Sequence, residues 1–134
     1  MAKVFLIDDD ADVIAQYKAA LSGSGHELTI AGSSAEAREA LKKITPEVAV
    51  VDILMDNGIP GFDLAREIHQ RAPQAPILMV SSLNSELKMP FDTSADEKLP
   101  IFKFLDKPVP AKVLAAELQR ALASVKEPAK RPSR

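Results

Sequence analysis

Five short runs rich in apolar residues divide this chain, and four of them end at a carboxylate, hydroxyl or ammonium group. Runs that are apolar on both faces are typical of strands in a parallel sheet that is covered on both sides. If these runs are parallel strands, their polar ends meet at one edge of one sheet. The runs are Lys3 to Ile7, Glu27 to Ala31, Val48 to Val51, Ile77 to Val80 and Ile101 to Leu105.

The segments between these runs have the apolar period of amphipathic helices. In the first, apolar residues recur at helical spacing from Val13 to Leu21, and in the second Ser33 and Glu36 have the spacing of a capping box. Two more helical segments are predicted, Phe62 to Pro73 and Pro110 to Val125. Strands that alternate with helices predict an α/β fold whose ligands bind at the carboxyl ends of the strands.

Composition limits the class of protein. The chain has 134 residues, of which 46% are hydrophobic and 27% charged, and its net charge is −2. These values are ordinary for one globular domain and indicate neither a nucleic-acid-binding surface nor a membrane span. The absence of cysteine excludes disulfides, thiolate metal sites and thiol catalysis. We therefore expect a soluble, cytoplasmic domain over residues 1–125.

Two segments depart from this alternation of strands and helices. Leu83 to Pro100 occupies the place of a fourth helix, but Pro90 would stop a helix there and the rest is acidic and polar. We predict a short or irregular fourth helix with an extended loop. Lys126 to Arg134 is basic and holds two prolines, which predicts a disordered tail.

The strand ends carry groups suited to phosphoryl transfer. Asp8 and Asp9 follow the first run and Asp52 follows the third, so three carboxylates are expected close together. Their mutual repulsion requires either raised pKa values or a cation, and Mg²⁺ prefers such oxygen ligands. Ser81 could donate to a phosphoryl oxygen, Lys107 could pair with phosphate, and Asp52 remains as a nucleophile.

With these motifs in order, the chain resembles a stand-alone response-regulator receiver domain of two-component signalling. The resemblance covers residues 2 to 125 and depends on four motifs at suitable spacing. They are Val4 to Asp10, Val50 to Met55, Pro76 to Ser82 and Phe104 to Pro108. It implies a flavodoxin-like doubly wound sheet of five parallel strands in the order 2-1-3-4-5.

The resemblance also implies roles for single residues. Asp52 would be phosphorylated, with Ser81 and Lys107 contacting the phosphoryl group. Phe104 would be the aromatic residue that changes rotamer on activation, although an aromatic at a strand end is as often a core residue.

A Mg²⁺ site is implied as well. Asp9, Asp52 and the backbone carbonyl of Leu54 would be its protein ligands, and Asp8 would act largely through water. Asp56 stands where the family usually has proline, which adds a carboxylate of unassigned role near the metal.

Partners follow from the same resemblance. A histidine kinase or histidine phosphotransfer protein would donate the phosphoryl group, and an unidentified protein would receive the signal from a monomer or weak dimer. The domain would phosphorylate and dephosphorylate itself without being a turnover enzyme.

Other interpretations stay open at this point. Asp8, Asp9 and Asp10 could cap a helix, and Asp10 is expected to do so. The chain could be a degenerate receiver that binds partners without phosphorylation. A small-substrate hydrolase is disfavoured because Leu54 stands where a second acid would be needed.

Overall fold

Residues 2–23, 25–52, 54–55, 59–60, 62–81, 101–106 and 109–130 are described by a computed structural model. Strands and helices alternate along the chain, as the apolar pattern predicts. The strands are β1 (Lys3–Ile7), β2 (Glu27–Ala31), β3 (Val48–Asp52), β4 (Leu54–Met55), β5 (Ile59–Pro60), β6 (Ile77–Ser81) and β7 (Ile101–Asp106). The helices are α1 (Ala11–Leu21), α2 (Ser34–Leu41), α3 (Phe62–Arg71) and α4 (Ala111–Lys130).

Five strands form one parallel sheet in the order β2-β1-β3-β6-β7. β6 and β7 are the fourth and fifth strands of this sheet, so the predicted flavodoxin-like order 2-1-3-4-5 is confirmed. The order reverses at β1, which lies between β2 and β3. β4 and β5 pair with each other as a separate antiparallel ribbon in the segment that follows β3.

Both faces of the sheet are buried. Along β3, Ala49 and Val51 belong to a core cluster with residues of α2 and α3, whereas Val48 and Val50 belong to a cluster with residues of α1 and α4. All four side chains are inaccessible to solvent. The sheet therefore separates two apolar cores, as expected for strands without polar alternation.

Side chains next to the sheet edge fix where the first two helices begin. Asp10 caps α1, because its side chain accepts hydrogen bonds from the backbone N–H groups of Asp12 and Val13 at 2.9 and 3.4 Å. Ser33 caps α2 and accepts from the Glu36 N–H at 3.1 Å. These caps satisfy N–H groups that the first turns would leave unpaired, and both predicted caps are confirmed.

The carboxyl-terminal end differs from the expectation. α4 extends to Lys130, whereas the apolar pattern predicts its end near Val125. Lysine, glutamate and alanine are good helix formers, and a proline close to the helix end interrupts few hydrogen bonds. Within the described ranges, no helix is both long and apolar enough to cross a bilayer.

Two other expectations concern residues outside the described ranges. The irregular helix and loop at residues 83–100 and the last four residues of the tail are not among them. Both therefore stay predictions, as does the division of the chain at residue 125.

Candidate functional site

Three carboxylates meet at the carboxyl edge of the sheet. β1 ends at Ile7 and β3 ends at Asp52, and these strands are hydrogen-bonded neighbours in which Ile7 pairs with Val51. Asp8 and Asp9 therefore leave β1 beside the end of β3. Each of Asp8, Asp9 and Asp52 offers a carboxylate oxygen, and these oxygens lie within 4.8 Å of one another. The predicted convergence of the three acids is confirmed.

The three acids differ in their exposure. Asp8 is 1% exposed and Asp52 is 6% exposed, whereas Asp9 is exposed to solvent. Asp8 is held on both sides, because its N–H donates to the Ala31 carbonyl at 3.2 Å and its Oδ1 accepts from the Asp10 N–H at 2.9 Å. The cluster thus has two buried carboxylates, those of Asp8 and Asp52, and one carboxylate, that of Asp9, which faces water.

This donor set fits a magnesium ion. Mg²⁺ binds oxygen ligands at about 2.0–2.1 Å, so two ligands on opposite sides of the ion are about 4.2 Å apart. Oxygens within 4.8 Å of one another need only small adjustments to reach that spacing. The exposed Asp9 leaves one side open for the waters that Mg²⁺ usually keeps.

The other predicted site residues are placed only in part. Asp52 pairs with Val80 on β6, so Ser81 follows at the same edge of the sheet. Asp106, the residue before Lys107, pairs with Ser81. Leu54 lies in β4, two residues after Asp52. Lys107 and Asp56 themselves lie outside the described residues, and their roles stay predictions.

Phe104 is half-buried and packs against the core cluster that α2 and α3 share with the sheet. On β7 it pairs with Met79 of β6, two residues before Ser81. The structure therefore gives Phe104 a place between the core and the site edge, and its role as a rotamer switch stays a prediction.

Tyr17 is a residue to which the sequence analysis gives no role at the site. The helical pattern places it on the apolar face of α1, and it is 3% exposed in the core. Its hydroxyl oxygen is buried and has no hydrogen-bond partner within the described part of the chain. Burial raises the pKa of Tyr17 above its ordinary value, and the negative charges of Asp8 and Asp52 raise it further. The available signal was a tyrosine in an apolar stripe whose helix begins directly after the acids.

Comparison with known proteins agrees with this geometry. The model of the response regulator receiver domain family matches residues 4–119. The DNA-binding transcriptional regulator NtrC of Escherichia coli is 32% identical over 92% of this chain, which spans 25% of NtrC. The transcriptional regulatory protein AfsQ1 of Streptomyces coelicolor is 27% identical over 91% of the chain, which spans 52% of AfsQ1.

Solved structures support the fold. A CheY-like receiver domain protein from Methanospirillum hungatei superposes with a TM-score of 0.82 at 21% identity, covering 95% of this chain and 98% of its own. A likeness at this identity concerns the fold, whereas the family match extends over most of the sequence and includes all three clustered acids. The chain therefore belongs to the response regulator receiver domain family.

Proposed function

We propose that this domain accepts a phosphoryl group on Asp52 from a histidine kinase or a histidine phosphotransfer protein, in a Mg²⁺-dependent reaction that alters a protein-interaction face. The observation that carries the proposal is the meeting of Asp8, Asp9 and Asp52 within 4.8 Å at the sheet edge of a receiver domain. Phosphorelay signalling is consistent with the family.

Asp52 is suited to the role of nucleophile. Its backbone is fixed at the end of β3 between β1 and β6, and its side chain is 6% exposed. A carboxylate oxygen of Asp52 would attack the phosphorus of a phosphohistidine, forming an acyl phosphate while the phosphorus–nitrogen bond breaks. The imidazole leaves with the electron pair of that bond. Positioning by the sheet supplies much of the advantage over a free carboxylate.

Asp8, Asp9 and Asp52, with the carbonyl of Leu54, would hold the metal ion. When bound, Mg²⁺ offsets the charge of the carboxylates and of the incoming phosphoryl oxygens. Asp9 is the exposed member of the set, so we expect the phosphodonor to approach from its side.

The remaining roles are supported by the family and by position. Ser81 would donate its hydroxyl to a phosphoryl oxygen, Lys107 would pair with the phosphoryl charge, and Phe104 would change rotamer. The face that responds would include β7 and α4, and the downstream target would be a protein. The domain would act as a phosphoacceptor and not as a turnover enzyme.

A phosphorylation assay tests this proposal. The wild-type protein is incubated with acetyl phosphate, with or without Mg²⁺, and the intact mass is followed. We expect the mass of one added phosphoryl group only when Mg²⁺ is present, and none in Asp52→Asn. The matched control is Asp63→Asn, an exposed carboxylate of α3, which should behave like the wild type.

The same experiment separates the proposal from its rival. A degenerate receiver would bind its partners equally well with Asp52→Asn and without Mg²⁺, and would take up no phosphoryl group. Failure of both acetyl phosphate and beryllofluoride to change the wild-type protein would contradict the proposed function.

A further inference from the structure

Tyr17 combines an apolar position with a polar atom that its surroundings do not use. The side chain is 3% exposed and belongs to the core cluster between the sheet and helices α1 and α4. Its hydroxyl oxygen finds no hydrogen-bond partner among the described residues. Phenylalanine would fill the same space without burying a hydroxyl group, which costs free energy when it is not hydrogen-bonded. The hydroxyl therefore calls for an explanation beyond packing.

The direction of α1 supplies an explanation for the buried hydroxyl group of Tyr17. α1 begins at Ala11, directly after the acids, and Tyr17 lies six residues along it, or about 9 Å of helix. Side chains on a helix lean toward its amino terminus, so the ring of Tyr17 leans back toward the site edge. The charges of Asp8 and Asp52 both act on this phenol and raise its pKa. Helix direction thus places the hydroxyl toward the end of α1 that adjoins the acids, and the charges of Asp8 and Asp52 act on it there.

We propose that Tyr17 is a positioning residue of the acid cluster, whose buried O–H dipole stabilises the carboxylates of Asp8 and Asp52 and makes the core under α1 sensitive to charge in the site. This inference goes beyond the proposed function, and only its magnesium readout rests on that proposal. The phenol is protonated at neutral pH, because a tyrosine pKa is ordinarily about 10 and burial raises the pKa of Tyr17 further, so its hydrogen is available to face the anions.

The sign of the effect follows from electrostatics. The O–H dipole stabilises the metal-free, negatively charged cluster most, because a bound dication removes much of the charge that the dipole faces. Tyr17→Phe should therefore destabilise the charged cluster and tighten Mg²⁺ binding by about two- to fivefold. A residue that only filled space would leave the dissociation constant unchanged.

A metal-free double-mutant cycle gives the main test. Urea unfolding in the presence of a chelator is measured for the wild type, Tyr17→Phe, Asp8→Asn and the double variant. The change in urea midpoint caused by Tyr17→Phe should be more positive in the Asp8→Asn background than in the wild-type background, by roughly 0.3 M or more. The control cycle pairs Tyr17→Phe with Asp63→Asn, whose carboxylate is exposed and bonded to Arg66, and should be additive. Additivity in both cycles would overturn the inference.

Tyrosine fluorescence gives a second readout, because the chain has one tyrosine and no tryptophan. The emission of the wild type should change with Mg²⁺ and reach half of its full change at the dissociation constant measured by calorimetry, and the response should weaken in Asp8→Asn. Constant emission over a range where calorimetry records binding would contradict the inference. If calorimetry records no Mg²⁺ binding, the proposed function is contradicted, and the metal-free cycle still decides the role of Tyr17.

Discussion

Replacing Asp8 by asparagine should stabilise the metal-free domain. Asp8 and Asp52 are 1% and 6% exposed, and their carboxylate oxygens lie within 4.8 Å of each other. Two unit charges 4.8 Å apart repel by about 3.5 kcal/mol at an effective dielectric constant of about 20. The pair with Asp9 is left out of this value because Asp9 faces water, which screens its charge.

Part of the stabilisation expected from Asp8→Asn is offset by weaker hydrogen bonding. Asparagine keeps an Oδ1 that can accept from the Asp10 N–H, but a neutral acceptor forms a weaker bond than a carboxylate. We therefore expect a net stabilisation of about 1–2 kcal/mol, a substantial fraction of the stability of a small domain.

Urea unfolding with a chelator measures this difference. The gain should shrink or reverse in saturating Mg²⁺, because a ligand at about 100 times its dissociation constant stabilises the wild type by about 2.7 kcal/mol. Asp63→Asn, which removes an exposed carboxylate, should change stability by no more than about 0.5 kcal/mol. An Asp8→Asn protein that is no more stable than the wild type in chelator would refute the reasoning about repulsion in the cluster.

Three further predictions concern the core and the helix ends. Ser33→Ala should lower the free energy of unfolding by about 1 kcal/mol in urea titrations, because the cap of α2 is lost. Lys103→Ala should lower it by about 1 kcal/mol, because Lys103 contacts the buried Glu117 at 3.0 Å; Lys42→Ala, in an exposed pair, should cost under about 0.5 kcal/mol in the same assay. The raised pKa of Tyr17 implies that its protonated form stabilises the fold fully below about pH 10 and that this contribution is lost as the pH rises further. Between pH 9 and pH 11, the urea midpoint should therefore fall more for the wild type than for Tyr17→Phe.

The main elements of the fold could be predicted from local pattern. The apolar runs locate all five strands of the sheet, although β3, β6 and β7 each continue one residue further than their runs, to Asp52, Ser81 and Asp106. The ribbon of β4 and β5 could not be found in this way, because strands of two residues carry no period. The extension of α4 to Lys130 could not be predicted from apolar period, because residues 126–130 carry a proline and charged residues and only local helix propensity favours a helix there.

The candidate site was predictable to the extent that it depends on strand ends. Asp8, Asp9 and Asp52 follow apolar runs, and a parallel sheet brings such ends together. The unequal burial of Asp8 and Asp9 could not be read from two adjacent identical residues, because it depends on which one continues β1 beside the end of β2. The place of Tyr17 depends on helix direction relative to the sheet, which apolar periodicity alone does not contain.

The two buried faces of the sheet limit how a change at Asp52 could spread. Both cores include residues near the end of β3, so under the proposed function a signal from Asp52 would pass through side chains that pack in these cores. Phe104 packs against the core on the α2 and α3 face, and Tyr17 belongs to the core on the α1 and α4 face. A charge change at one carboxylate would then reach the two faces by different means, through packing at Phe104 and through an oriented dipole at Tyr17. Close-packed cores transmit the change in packing at Phe104, whereas the effect of the dipole at Tyr17 needs no displacement of the backbone.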